Sequence, residues 1–302
     1  MRALANPLTM PGSKRRVMPQ ILPLLPGPSE VRCVHVPFFG TGASAQHFDA
    51  AGYTLGRLSE GSPWIHAVHA KIRNVSNFED GVETLARRVE AVSLADQRSE
   101  YFGWRSMLNQ VGPPTPGVPA MSEMIFCLWR MAFNGLIRTN KAGALNMPPG
   151  VSASTGRRAK VYDREALREF CGWWRELYSR GLSLLCEDFA ETLKHAQPGD
   201  LVYLDPPYAG TFSGYLPGGF STERLVEAIH DLPTGVKWAM SNAVTADEDA
   251  PKKPLGKRAP TAAEWAALFP GAAIHPVCRA GTVNSNGADR GKVKEVLIVG
   301  AA

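Results

Sequence analysis

Short β-prone runs alternate with helix-forming stretches at both ends of the chain, and a block of helical periodicity separates them. Residues 32–36 read as a strand that runs into Phe38-Phe39-Gly40-Thr41-Gly42. Residues 43–51 suit a helix and residues 53–58 a second strand, which makes a βαβ opening. Residues 78–98 carry Val82, Leu85, Val89 and Val92 at helical spacing. Residues 120–133 and 163–180 are further helix candidates, the latter with Asp163 as N-cap. Between them, residues 134–160 are polar, basic and rich in Gly and Pro, which suits a loop, a small subdomain or a surface linker. β character resumes at residues 201–204, a short apolar strand ending on Asp205. Residues 209–220 hold four glycines, 221–231 suit a helix and 237–241 a strand. Thr261-Ala262-Ala263-Glu264 has capping-box spacing, and 273–279 with 293–300 look like closing strands. The pattern predicts an α/β sheet with helices on both faces, interrupted by a helical insertion. Ligands of such sheets bind beyond the carboxyl ends of strands. Both the glycine turn and Asp205 fall there.

Composition narrows the setting. The 302 residues include 33 basic and 28 acidic side chains, a formal charge of +5 that permits a polyanionic partner without demanding one. The basic residues cluster at Lys14-Arg15-Arg16, at Arg157-Arg158 with Lys160, at Lys252-Lys253 with Lys257-Arg258, and at Arg290 with Lys292 and Lys294. Four such clusters near candidate motifs favour phosphate contacts over solvated loops. The five cysteines are odd in number and lack C-x-x-C spacing, which argues against a disulfide framework or a zinc site. His66 and His69 are three apart but have no third ligand in view, so no metal is expected. No signal peptide is read at the start, and the apolar stretch 124–133 is broken by Arg130 and too short to span a bilayer. A reducing cytoplasm and no membrane follow as expectations. Trp173 and Trp174 read as core.

Two segments carry candidate chemistry. A Gly-x-Gly turn after a strand lets the backbone approach a ligand, since no Cβ intervenes. Glu60, eighteen positions after Gly42, stands where a carboxylate can take the hydroxyls of a ribose; the plain alternative is an exposed loop carboxylate. Asp205-Pro206-Pro207-Tyr208 is more specific. Two prolines make a rigid, extended segment without N–H groups. The Asp205 carboxylate and the Pro206 carbonyl can accept both hydrogens of an amino group, and Tyr208 offers a face for stacking. An amino group on a base is a poor nucleophile, because its lone pair is delocalised into the ring. Two acceptors draw it towards tetrahedral geometry and localise the pair for attack on a methyl sulfonium.

At this point the chain resembles the Dam-like (alpha-group) N6-adenine-specific DNA methyltransferases over roughly residues 10–300. Gly12-Ser13-Lys14 resembles the family's Gly-Gly-Lys segment, and Pro37-Phe38-Phe39-Gly40-Thr41-Gly42 its Pro-Phe-x-Gly-x-Gly motif. Glu60 with Pro63 is similar to its acidic ribose ligand. Arg130, Asn134-Gly135-Leu136, Arg138 and Asn140 follow its recognition segment, and Leu145-Asn146-Met147-Pro148-Pro149-Gly150 the sequel. Asp188-Phe189 resembles the pair that meets the cofactor adenine, and Ser285-Asn286-Gly287 with Arg290 the closing segment. The order (cofactor motif, recognition region, Asp-Pro-Pro-Tyr) is that group's order. Departures fall at Met10, Ser13, Val36, Glu60 and Phe133.

The resemblance implies a Rossmann-like S-adenosylmethionine methyltransferase sheet with a mostly helical DNA-recognition insertion. Residues 1–72 and 185–302 would form the catalytic domain, and 73–184 the target-recognition insertion. S-adenosylmethionine would be lined by Gly12, Lys14, Pro37, Phe38, Gly40, Gly42, Glu60, Asp188, Phe189 and Asp205. Asp205, Pro206, Pro207 and Tyr208 would be catalytic and hold a flipped adenine. Phe133, Asn134, Arg138, Asn140 and Asn286 would touch double-stranded DNA, with Arg138 reading a guanine or meeting a phosphate. Phe133, Phe212 or Tyr215 would fill the gap left by the flipped base, or serve as ordinary core. The implied setting is DNA methylation, restriction–modification included, by a monomer or weak dimer in a bacterial or phage-infected cell. The alternatives are cytosine N4 methylation, which commonly has Ser in place of Asp205, a DNA-binding homologue without catalysis, or RNA as the substrate.

Overall fold

The computed structural model describes residues 5–72, 78–115, 121–152, 156–158, 161–208, 220–245, 258–277 and 294–302. These form two compact units. A sheet unit takes the described residues of Lys14–Ser59, Glu187–Ser213 and Phe220–Ala302, and a helical unit those of Met1–Ser13 and Glu60–Cys186. By this division the chain passes between units at Ser13/Lys14, Ser59/Glu60 and Cys186/Glu187.

Along the chain the sheet unit opens with α1 (Met18–Ile21), β1 (Val34–Val36), α2 (Ala43–Ala50) and β2 (Leu55–Ser59). The helical unit supplies α3 (Pro63–Ile72), α4 (Phe78–Ala91), α5 (Leu94–Val111), α6 (Ser122–Met131), α7 (Arg164–Ser179) and the two-residue β3 (Leu184–Leu185). The sheet unit closes with α8 (Phe189–Lys194), β4 (Leu201–Leu204), α9 (Thr222–His230), β5 (Lys237–Val244), α10 (Ala262–Leu268), β6 (Ala273–Val277) and β7 (Lys294–Ala301). None of the described helices is long and apolar enough to cross a membrane.

Six strands of the sheet unit run in the order β2-β1-β4-β5-β7-β6. β1 pairs in parallel with β2 and β4, and β4 with β5. β7 runs antiparallel between β5 and β6. The carboxyl ends of β1, β4 and β5 thus share one edge, and the antiparallel β7 brings its first residues to that same edge. All four residues of β4 are buried, as befits a central parallel strand covered on both faces. One face buries Val202, Leu204, Trp238, Met240, Val296 and Ile298 against Leu225, Ile229, Trp265 and Phe269 of α9, α10 and its exit. Each large apolar side chain so buried contributes about 1.5–3 kcal/mol. The other face meets α2, where Phe48 lies edge-on to Tyr203 at 5.2 Å.

Helix ends follow the expected chemistry. The Asp163 side chain accepts from Ala166 N–H, and Thr261 with Glu264 forms a full capping box. The single helix predicted over 78–98 is two helices. Ser93 takes extended backbone and accepts from Asp96 N–H, so it starts α5 afresh, and α5 runs on to Val111. In the helical unit α6 packs against α3, α4 and α5 and buries Ile125, Phe126, Cys127, Leu128, Trp129 and Met131. A helix with so wide an apolar face belongs at a core's centre. Its lone cation, Arg130, donates to the Pro7 and Val161 carbonyls at 2.5 and 3.2 Å. Burial draws its pKa below the ordinary arginine value. Trp173 and Trp174 are buried, as read from the sequence.

The opposite, amino edge of the sheet is tied by a buried network. Asp200 precedes β4 and accepts from His35 Nε2 at 3.0 Å, Cys33 Sγ at 3.3 Å and Gln197 N–H at 2.8 Å. His35 Nδ1 accepts from Arg57 N–H at 2.9 Å, which puts the ring proton on Nε2, facing Asp200. Three potential metal ligands are therefore engaged in a proton-bearing chain, and an ion at Nε2 would have to displace it. Burial opposes ionisation of Asp200, but the hydrogen bonds from His35, Gln197 and Cys33 outweigh it, and its carboxyl lies below its ordinary range. Burial, with the same carboxylate beside it, pushes the Cys33 thiol up to about 12. A depressed folded pKa gives stability that is present above the unfolded value, ~3.9, and lost as pH falls through the folded one. Asp200→Asn is expected to cost about 1–3 kcal/mol at neutral pH. The difference from wild type should shrink below about pH 4, as read by urea unfolding at the two pH values.

Candidate active site

The turn after β1 is built by glycine conformation. Gly40 and Gly42 have φ of 54° and 79°, the left-handed region that side chains avoid. Gly42 N–H donates to the Phe39 carbonyl at 2.8 Å, and Gly42 caps α2 by accepting from Gln46 N–H. Phe39 N–H donates to the Ser59 carbonyl, which ties the turn to the end of β2. The Phe38 ring stacks on Phe189 with centroids 5.2 Å apart, and Phe220 stands edge-on to Phe38 at 6.0 Å. Next to Phe189, Asp188 caps α8 through Ala190 N–H and accepts two bonds from Arg224 of α9, at 3.0 and 2.5 Å. The Arg224 guanidinium also lies 4.9 Å over the Phe189 ring. Pro37, Phe38, Gly40, Gly42, Asp188 and Phe189 thus all lie in the sheet unit, and Phe38, Asp188 and Phe189 share one aromatic and charged cluster.

At the end of β4, Asp205 lies at the carboxyl edge, followed by buried Pro206 and half-buried Pro207 and Tyr208. Lys14 crosses to this segment. Its ammonium is 2.7 Å from Asp205 Oδ1 and donates to the Tyr208 hydroxyl at 2.6 Å. Lys14 is 1% exposed, so it is neither solvated nor available to a phosphate, unlike the expectation for the Lys14-Arg15-Arg16 cluster. A buried ammonium demands acceptors, and the motif supplies two. Beneath it, Tyr203 and Ser241 share a 2.8 Å hydrogen bond.

The helical unit holds the other expected residues. Gly12 has φ of 91°. Glu60 is buried rather than exposed, and its carboxylate accepts from Ser62 N–H at 2.8 Å, just before α3. Asn140 is exposed, and so is Phe133, at 47%. Asn134 (φ 55°) and Gly135 (φ 66°) form a left-handed corner behind it, and Trp129 Nε1 donates to the Gly135 and Thr9 carbonyls at 2.8 Å. Arg138 Nε and Nη2 donate to the Asn146 carbonyl, and Asn140 Oδ1 accepts from Ala142 and Ala144 N–H. Arg138 and Asn140 therefore brace the 138–146 hairpin. In the Arg157-Arg158 cluster, Arg158 donates to the Glu90 and Val92 carbonyls. Asn286, Phe212, Tyr215, Lys160, Arg290 and Lys252-Lys253 lie outside the described residues.

With this geometry in place, comparison with known proteins is decisive. The family model of the D12 class N6 adenine-specific DNA methyltransferases matches residues 11–262. The chain belongs to this family. It is 25% identical over 297 residues to the type II methyltransferase M1.LlaDCHI of Lactococcus lactis subsp. cremoris, covering 95% of this chain and 92% of that protein. It is 29% identical over 213 residues to the retron Ec67 DNA adenine methylase of Escherichia coli, with 70% and 66% covered. To a DNA adenine methylase of Vibrio cholerae it is 31% identical over 215 residues, with 67% and 65% covered. The α/β sheet agrees with a Rossmann-like methyltransferase fold. The enzyme is a DNA adenine-N6 methyltransferase, and the cytosine N4 and non-catalytic readings are not favoured.

Two charged residues of the methyltransferase's candidate site escaped sequence reading. Arg224 sits on a surface helix and is indistinguishable by pattern from any solvated arginine. Glu295 is the second residue of the last strand, and only the antiparallel pairing brings it to the carboxyl edge. The left-handed corner at Asn134–Gly135 offers a direct test of backbone constraint. A Cβ at Gly135 would lie 2.1 Å from the Thr9 carbonyl oxygen, at a φ that side chains rarely adopt. Gly135→Ala should destabilise the protein by about 2 kcal/mol or more, from strain and clash together. Thermal unfolding would show the lowered midpoint, and an unchanged midpoint would contradict the corner as described.

Proposed function

We propose that the methyl donor is S-adenosylmethionine and that Asp205, Pro206 and Tyr208 hold the target adenine, flipped out of double-stranded DNA. The observation that carries this is the end of β4. An acceptor carboxylate, a proline carbonyl and an aromatic ring follow one another on a rigid segment, with a buried ammonium fixed to the carboxylate at 2.7 Å. Lys14 occupies Asp205 Oδ1 and so orients the carboxylate, while the rigid Pro206–Pro207 backbone holds the neighbouring carbonyl. An amino group bound between these acceptors is drawn towards tetrahedral geometry, which raises its nucleophilicity. The same carboxylate can receive the proton that the nitrogen sheds. Tyr208 provides the stacking face. A base in the duplex cannot reach such a segment, so extrusion precedes transfer.

The donor reading has its own support. The β1 turn presents backbone without side-chain obstruction at Gly40 and Gly42, and Phe38, Phe189 and Asp188 stand together to meet a planar, amino-bearing ring. These residues fit an adenosyl group. Bound there, S-adenosylmethionine supplies an electrophilic methyl group. The helical unit serves as the target-recognition part, with Phe133, Asn134, Arg138 and Asn140 on the DNA side. Its support is the exposed Phe133 on a stiff left-handed corner and the braced hairpin beside it.

Asp205→Ala should lower methyl transfer to unmethylated genomic DNA by at least ~10³-fold, read as N6-methyladenine by mass spectrometry, while duplex affinity stays within about threefold. Sustained turnover would refute the assignment. For the donor, calorimetry with S-adenosylmethionine should show binding that Gly42→Val weakens at least about tenfold, since a β-branched side chain suits neither the left-handed φ nor the close backbone approach. Equal affinities would place the donor elsewhere.

A further inference from the structure

Glu295 is a carboxylate that the mechanism above does not use. It is 3% exposed, the second residue of β7, opposite Ala243 of β5 and Val277 of β6. Its neighbours Val296 and Ile298 face the apolar core, so Glu295 lies on the other face of the sheet, with Tyr203 and Ser241. A carboxylate in that position is costly unless it accepts hydrogen bonds. Tyr208 meets the need, since its side chain comes within hydrogen-bonding reach of Glu295. The Tyr208 oxygen accepts from Lys14 Nζ at 2.6 Å, which leaves the phenolic hydrogen for the Glu295 carboxylate. Burial first, then the charges of Asp205 and Glu295, raise the Tyr208 pKa well above its ordinary value, so the phenol keeps that hydrogen.

A phenolic O–H prefers the plane of its ring, through conjugation. One bond received and one given at the hydroxyl therefore restrain the tilt of the ring as well as the place of its tip. We infer that Glu295 is a positioning residue for methyl transfer, holding the Tyr208 ring by its hydroxyl in the attitude required to stack on the target base. It touches no reacting atom. Glu295 acts through Tyr208, and Lys14 joins the same hydroxyl to Asp205, so one buried chain from β7 to the amino terminus sets both the stacking face and the acceptor.

The inference rests on the proposed roles of Asp205 and Tyr208, and a variant series separates the two. The substrate is unmethylated genomic DNA, and the readouts are kcat and KM for DNA, with thermal unfolding to report folding. Glu295→Leu should lower kcat about tenfold with KM within about twofold, and Glu295→Gln, which keeps an acceptor, should recover most of the loss. Tyr208→Phe removes the hydroxyl and keeps the ring; in that background Glu295→Leu should cost less than about twofold more. If the two losses multiply instead, or if Glu295→Gln is as impaired as Glu295→Leu, Glu295 does not act through the Tyr208 hydroxyl and the inference fails. Should Glu295→Leu fail to fold, the comparison of Glu295→Gln with and without Tyr208→Phe decides by the same rule. Inactive Asp205→Ala with unimpaired Glu295 variants overturns this inference alone, whereas active Asp205→Ala overturns the reading beneath it.

Discussion

A buried ammonium held against the carboxylate at the end of β4 organises the candidate site. Lys14 lies almost wholly out of solvent, 2.7 Å from Asp205 and 2.6 Å from the Tyr208 hydroxyl. Removing one partner of such a pair leaves the other charge buried and uncompensated, at about 3–5 kcal/mol. The three groups therefore stand or fall together. The arrangement suits an enzyme whose task at this point is orientation. In the proposed mechanism an adenine amino group needs two acceptors at fixed positions, and a lysine that anchors one carboxylate oxygen removes the rotation that would blur them.

The sheet makes that arrangement possible. Parallel pairing of β1, β4 and β5 places the glycine turn and Asp205 at a common edge, although they are far apart in sequence. The reversal of β7 adds Glu295 to the same edge. At the opposite edge, the His35–Asp200 network ties β1 to β4 by side chains as well as by the ladder. The two edges differ: polar groups at one are buried to hold strands together, and those at the other gather around the proposed catalytic segment.

The helical unit applies stiffness in another way. Its core is packed around α6, and at the exit of that helix the chain turns through two consecutive left-handed residues, Asn134 and Gly135, anchored by the Trp129 indole. Phe133, Arg138 and Asn140 sit on or near this corner. Hydrogen bonds from Arg138 and to Asn140 brace the hairpin that follows. As the proposed recognition surface, this corner presents side chains from a backbone with little freedom to rearrange, which favours selectivity over adaptability.

What could be read from residues alone was whatever depends on neighbours in sequence. The βαβ opening, the Gly40–Gly42 turn, the caps at Asp163 and Thr261 and the rigid Asp205–Tyr208 segment are local, because φ restrictions, side-chain capping and periodicity act over a few residues. The family resemblance was legible for the same reason, as a series of short motifs in order. The break at Ser93 was local too, yet hidden inside an unbroken apolar period. What depended on the fold was everything set by burial and long-range pairing. Lys14 read both as one cation of a basic run and as a cofactor-lining residue, and only the fold buries it against Asp205. Glu60 read as a ribose carboxylate or an exposed loop residue, and the fold buries it with its carboxylate accepting from Ser62 N–H. Arg224 and Glu295 had no pattern to mark them. Charge in a sequence says nothing about the partner it will meet, because the partner is chosen by strand order and direction. Here an antiparallel last strand and a buried lysine made that choice.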